Sequence, residues 1–318
     1  MKLATYSTVG RAPWPGALLS NGHVADLSVL GPAAGLEFDT VADLLSLGEA
    51  AWEPLTKRLA QVTDDPSEGI ERGWVLSTDA VELLPPTGTK PFFLSCGGIY
   101  VSHRKEMGVA GDPPRRPEGY IVNPNILVAS GRPVVLPEEA PGQVDWEGEF
   151  CLVFGRAASR LDPETVLDHV AGYTIYNDIS ARDNVPNLFS ADSRTAVGGY
   201  AANILYKQFP TFGPLGPCIV TRDELPDVAQ ARLRTSVNGQ VMQDEAVGNL
   251  TMTIAEVVAA VTEVYSFGVG DILSLGTPAG VGYARSPKVF LHPGDVVEVS
   301  VDGIGTLSNP VVAAEDVA

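Results

Sequence analysis

The chain has 318 residues, 45% of them hydrophobic and 19% charged; this suffices for one large domain or a large one with a small companion, and is too apolar for a disordered chain. With 39 acidic against 21 basic residues the formal net charge is -18, which repels nucleic acid and anionic membranes and excludes both as expected partners. The cysteines Cys96, Cys151 and Cys218 are far apart and form no CxxC pair, so reduced thiols are expected.

In chain order, residues 1 to about 30 alternate apolar and polar in short pieces, and Asn21-Gly22 predicts a hairpin turn. The opening MKLATYSTVGRAPWPG has no apolar run of the signal-peptide kind, and no helical stretch is long and apolar enough for a membrane span, so a cytoplasmic protein is expected. Val41, Leu44, Leu45, Trp52, Leu55 and Leu59 recur at helical spacing. A small β-rich N-terminal domain over 1–85 is therefore predicted, closing at the Pro- and Gly-rich LLPPTGTKP of 83–91.

A larger domain over 92–318 follows. SHRKEM reads as a short helix and 109–118 as loop, while ILVASGRPVVLP, WEGEFCLVFG and YTIYNDIS read as strands. DPETVLDHVAGY opens on Asp-Pro and predicts a helix; TIAEVVAAVTEVYSFGVGD predicts an amphipathic helix ending near Gly268. GDILSLGTPAG reads as a strand entering a turn, and the chain closes on a hairpin at Asp302-Gly303. The expected fold class is α+β, predominantly β, a sheet folded into a barrel-like roll with helices outside.

The acidic residues Asp145, Glu147 and Glu149 alternate in VDWEGEF, which places them on one face of a strand. Alone the pattern also fits a solvated strand face, but its apolar flanks favour burial, where stacked carboxylates need a cation. Asp178 ends an apolar strand, a position that either lines a site or caps a turn. His103 and Glu106 stand at i, i+3, so a helix makes them neighbours, either as a surface pair or as an imidazole oriented for general-base work. The turn GTPAGVG at 276–282 is either a plain β-turn or one whose backbone N–H groups and Thr277 hydroxyl hold a carboxylate. Only four histidines are present, and carboxylate oxygens select Mg²⁺, Mn²⁺ or Ca²⁺ over zinc. No G-x-S-x-G, H-E-x-x-H, Walker or dinucleotide fingerprint occurs.

Taken in order, the motifs resemble the fumarylacetoacetate hydrolase family from about residue 92 to 311: H-x-x-E at 103–106, E-x-E at 147–149, GYTIYNDISARD at 172–183, K-x-F at 207–209, GPLGP at 213–217, VNGQVMQ at 237–243 and GDILSLGTPAGVG at 270–282. The N-terminal KLATYS and GHVADL resemble the small first domain of longer members. The resemblance implies a mixed β-roll catalytic domain, a homodimer and a small keto acid substrate. It implies Mg²⁺ on Glu147, Glu149 and Asp178, a water-activating dyad of His103 and Glu106 on a lid, and Lys207 beside metal and substrate. Arg182, Thr277 and Gly276 would contact the substrate. The chain departs from many small members in having Asn123-Pro124 for Lys-Pro, Val185 for Gln and Ile99-Tyr100 for Asn-Tyr, and its stretch from 184 to 205 is unusual. The leading expectation is a hydrolase that cleaves a C–C bond in an acylpyruvate-like or fumarylacetoacetate-like diketo acid. The alternative is an oxaloacetate-type decarboxylase, or an isomerase or hydratase of a keto acid from aromatic degradation.

Overall fold

The computed structural model describes residues 1–88, 90–109, 111–183 and 193–317. β1 (Lys2–Ser7), β2 (Trp14–Leu18) and β3 (His23–Asp26) pair antiparallel in sequence. Gly22 closes the β2–β3 turn at φ +81°, a left-handed conformation that explains the Asn-Gly pair. Helices α1 (Leu27–Ala33), α2 (Val41–Ser46), α3 (Glu49–Asp64) and α4 (Ser67–Arg72) follow, before β4 (Val75–Ser77) and β5 (Glu82–Leu84) return to the sheet. A reciprocal capping box of Thr40 and Asp43 starts α2, and α3 turns Trp52, Leu55, Leu59 and Val62 inward.

The chain continues through β6 (Phe93–Gly97), α5 (Val101–Glu106), β7 (Glu118–Ile121), β8 (Leu127–Val128), β9 (Val134–Leu136), β10 (Val144–Asp145), β11 (Gly148–Phe154), β12 (Val170–Asn177) and β13 (Ser180–Ala181). Then come α6 (Ser193–Leu205), β14 (Gly213–Thr221), β15 (Arg232–Val237), β16 (Gln240–Ala246), α7 (Ile254–Thr262), β17 (Ile272–Ser274), β18 (Val296–Val301) and β19 (Gly305–Ala313). The main sheet runs β4-β3-β2-β1-β14-β12-β11-β17-β6-β7, with β5 on β1 and β8 on β14. A second sheet runs β16-β15-β18-β19-β9, and β10 pairs with β13. The fold is thus α+β and mostly sheet, as the residue pattern predicts.

Every residue of β11 and β12 is buried, because both faces of these central strands are covered. Phe150, Leu152 and Phe154 pack with α7 and with Leu233 and Val299 of the second sheet. The alternate residues Cys151 and Val153 pack with Leu44, Trp52 and Leu55 of the N-terminal helices. Backbone pairing also joins the two parts of the chain: Lys2 and Leu3 of β1 lie opposite Val220 and Ile219 of β14.

Three elements differ from expectation. Residues 162–169 form turns and a short 3-10 segment instead of a helix, because Val170 already belongs to the buried strand β12. Helix α7 stops at Thr262, and Phe267 instead exchanges backbone hydrogen bonds with Ala158. The strand expected from Trp146 starts at Gly148, so Asp145 lies in a separate short strand. No helix among the described residues is long and apolar enough to cross a membrane.

Candidate metal centre and active site

The antiparallel register of β11 and β12 sets Gly148 opposite Asn177, which brings the start of one strand beside the end of the other. Glu147 and Asp178 stand just outside that last pair, joined by the Asp178 N–H to Glu147 C=O bond at 2.9 Å. Glu149 is the second residue of β11. Gly148 between the two glutamates is required sterically: a Cβ there would fall 2.3 Å from Thr235 Oγ1 of the second sheet. Glu147, Glu149 and Asp178 are all buried, and one carboxylate oxygen from each lies within 4.8 Å of the others.

Each carboxylate has a different environment. Glu149 Oε2 accepts Ser95 Oγ at 3.0 Å and Ser274 Oγ at 2.5 Å, two serines aligned by the parallel β17–β6 pairing. Burial, and then the charges of Asp178 and Glu147, push its carboxyl well above the usual range. Asp178 Oδ1 accepts Tyr120 Oη at 2.5 Å and Tyr176 Oη at 3.3 Å. Its carboxyl is raised by burial, an effect partly offset by Lys207. Glu147 is buried too, but Lys207 and Arg182 overcome the desolvation and hold it down at about 2.

Lys207, just beyond α6, places Nζ 2.6 Å from Glu147 Oε2 and 2.5 Å from Asp178 Oδ2. Arg182 donates to Glu147 Oε1 and, at 2.5 Å, to Asn203 Oδ1; its Nε lies 3.6 Å from Asp145 Oδ2. Both predicted cations therefore sit on the carboxylate cluster. Asp145, expected on the same face as the glutamates, faces elsewhere and accepts the N–H groups of Gly282 at 2.6 Å and Tyr283 at 3.0 Å.

His103 and Glu106 meet as their spacing predicts, with Nδ1 2.7 Å from Oε1. A carboxylate only accepts, so the proton sits on Nδ1 and Nε2 is the basic nitrogen. His103 lies near enough to Glu147 that a protonated imidazole there would lower its carboxyl. Helix α5 rests on the 276–282 turn: Glu106 Oε2 accepts the Gly280 N–H at 2.8 Å, and Ser102 Oγ accepts that of Ala279 at 3.2 Å.

Within that turn, Gly276 takes φ +71°, and a Cβ would meet Cys96 O at 2.4 Å, so the glycine permits close approach to β6. The Thr277 hydroxyl donates to Gly148 O at 2.9 Å and accepts from Gln243 Nε2 at 2.7 Å. Gln243, Asn177, Tyr120 and the two serines escaped sequence reasoning. Polar residues in or beside strands carry no signal of their partners across the fold; the repeated glutamine in VNGQVMQ was the one available hint for Gln243. Ile99 is buried and Asn123 caps the short 3-10 turn at 124–126, whereas Val185 lies outside the described residues.

The residues present fit a divalent cation. Asp145, Glu147, Glu149 and Asp178 set four formal negative charges in the interior against the two positive charges of Lys207 and Arg182. A divalent ion closes that difference, and an all-oxygen donor set belongs to a hard cation.

Residues 94–312 match the family described as fumarylacetoacetate (FAA) hydrolase C-terminal. The mitochondrial oxaloacetate tautomerase of Xenopus laevis is 32% identical over 296 residues, covering 93% of this chain and 84% of the relative. An oxaloacetate tautomerase of Bacillus subtilis is 31% identical over 256 residues, 80% of this chain and 81% of the relative. The solved fumarylacetoacetate hydrolase of Exiguobacterium antarcticum superposes with a TM-score of 0.74 at 27% identity, over 98% of this chain and 99% of that one. By the matched region, the relatives and the buried carboxylate triad, the chain belongs to the fumarylacetoacetate hydrolase family of enzymes.

Proposed function

We propose that the protein is a Mg²⁺-dependent isomerase of a small 2-keto acid, interconverting the keto and enol forms of an oxaloacetate-like dicarboxylate. The supporting observation is the buried triad of Glu147, Glu149 and Asp178 with Lys207 between two of its members, close to the His103–Glu106 dyad. The tautomerase names of two relatives from distant organisms favour this reading over the C–C hydrolase expected from the motifs.

Glu147, Glu149 and Asp178 would hold the divalent cation, which when bound would supply Lewis-acid stabilisation of the enolate charge. His103, oriented through Nδ1 by Glu106, takes a proton at Nε2 from the carbon beside the keto group. Lys207 is held protonated, against its burial, by Asp178 and Glu147, and hands a proton to the keto oxygen. One proton leaves carbon and one arrives at oxygen, so the reaction is an isomerisation. Arg182 and the backbone of the turn at Gly276 and Thr277 receive the substrate carboxylate. The docked α5 keeps bulk water from the reacting carbon.

Hydrolysis is the second reading, favoured by the same dyad, which is equally placed to deprotonate a water. The test is oxaloacetate with Mg²⁺, following enol absorbance and identifying products. Faster keto–enol equilibration with oxaloacetate recovered, lost on chelation, is the expected result. Equilibration at the background rate, together with cleavage of an acylpyruvate into two acids, would replace the isomerase by the hydrolase.

A further inference from the structure

The peptide of Gly148 lies between two proposed metal ligands, and both of its polar groups are held by side chains from elsewhere. Its N–H donates to Gln243 Oε1 at 3.0 Å, and its C=O accepts from Thr277 Oγ1 at 2.9 Å. Gln243 Nε2 donates to that same Thr277 oxygen at 2.7 Å and to Pro278 O at 2.9 Å. The three residues therefore close a ring of hydrogen bonds.

Gln243 comes from β16 of the second sheet, whereas Gly148 and Thr277 belong to the main-sheet side. Its residue is 1% exposed. Its amide has one orientation only, since a flipped group would set N–H against the Gly148 N–H and C=O against Pro278 O. Both amine hydrogens and the carbonyl are used, so no apolar side chain of similar size reproduces the pattern. On the other side of the ligand strand, Asn177 Oδ1 accepts the Glu147 N–H at 3.1 Å.

We infer that Gln243 is a positioning residue of the metal centre: through the Gly148 peptide and Thr277 it fixes the relative aim of Glu147 and Glu149. The inference rests on the reading that the triad holds a divalent cation. A side chain that orients ligands from behind sets affinity, because a loosened ligand pair must be ordered again each time the ion binds. The ring also assigns the Thr277 hydroxyl: its single proton points at Gly148 O, so in this arrangement Thr277 serves the ligand strand.

The test is Mn²⁺ binding to the whole protein, measured without substrate by calorimetry and by the paramagnetic signal of free Mn²⁺. Wild type that binds no Mn²⁺ would overturn the metal-centre reading itself, and this inference with it. Given wild-type binding, Gln243→Leu should weaken affinity about 10–100-fold. Thr277→Val breaks the ring at another member and should weaken binding in the same direction. The double variant should be little weaker than the poorer single one, because the ring is lost once. A folded Gln243→Leu protein with wild-type Mn²⁺ affinity overturns the inference, as does full additivity. Should Gln243→Leu fail to fold, unchanged Mn²⁺ affinity in Thr277→Val overturns it alone.

Discussion

Glu106 accepts the N–H of Gly280 at 2.8 Å through Oε2, the oxygen that His103 does not use. The dyad is thus tied at once to its own helix and to the turn after β17. Glu106→Gln can keep the Gly280 bond through its carbonyl, but its amine then donates to His103 Nδ1 and moves the ring proton to Nε2. Both His103→Ala and Glu106→Gln should slow isomerisation by roughly 10²–10⁴-fold, with Mn²⁺ affinity preserved. Steady-state rates beside Mn²⁺ titrations check this; a near-wild-type rate in either variant would move the proton transfer elsewhere.

Gly280 itself admits no side chain. Its φ is +111°, and a Cβ would fall 2.1 Å from Met242 O. Gly280→Ala should cost about 1–3 kcal/mol of stability and lower turnover by loosening α5. Urea unfolding reads the first effect, kcat the second.

Removing metal should destabilise the protein, since the triad then keeps mutually repelling carboxylates buried. Ion at one hundred times its Kd adds about 2.7 kcal/mol. Thermal unfolding in chelator and in excess Mg²⁺ should separate the two states, and Asp178→Asn should narrow the gap between them. Equal melting temperatures for wild type in chelator and in Mg²⁺ would contradict the site.

Proton and metal should compete at the triad. The carboxyls of Glu149 and Asp178 are both raised, each by burial first; Asp178 and Glu147 add to this at Glu149, while at Asp178 Lys207 offsets part of it and Glu147 adds to it. Groups raised in the folded state bind protons more readily there than in the unfolded chain. Their contribution to the metal-free fold is full at acid pH and is lost as pH rises through the raised values. Divalent affinity therefore rises with pH, and binding releases protons. Calorimetry in two buffers of different ionisation enthalpy should show that release; heat independent of buffer would rule it out.

Much of this site is legible along the chain, because its charged members sit on short-range patterns. E-x-E in a buried strand, an acid at a strand end and H-x-x-E on a helix each give a local signal. What sequence misses is partnership across sheets. Asp145 shares the alternation of Glu147 and Glu149, yet the strand breaks at residues 146–147, and its carboxylate turns to the Gly282 and Tyr283 amides. Tyr120 reaches Asp178 from a strand 58 positions away, and nothing around Tyr120 announces it. The misread helix at 162–169 has the same origin: Asp-Pro and helical spacing are local, whereas the covering of both faces of β12 is not.

The pairing of β1 with β14 sets how the molecule tolerates division. β14 also pairs with β12, the strand that ends at Asn177 just before Asp178, so the first residues of the chain lie two strand steps from a proposed metal ligand. A fragment beginning near residue 92 would leave β14 with an open hydrogen-bonding edge beside Ile219 and Val220, and β12 would lose its packing on α2 and α3. Such an edge recruits other strands. A chain trimmed in this way is therefore a template for aggregation, and engineering that seeks a smaller catalyst has to supply a substitute for β1.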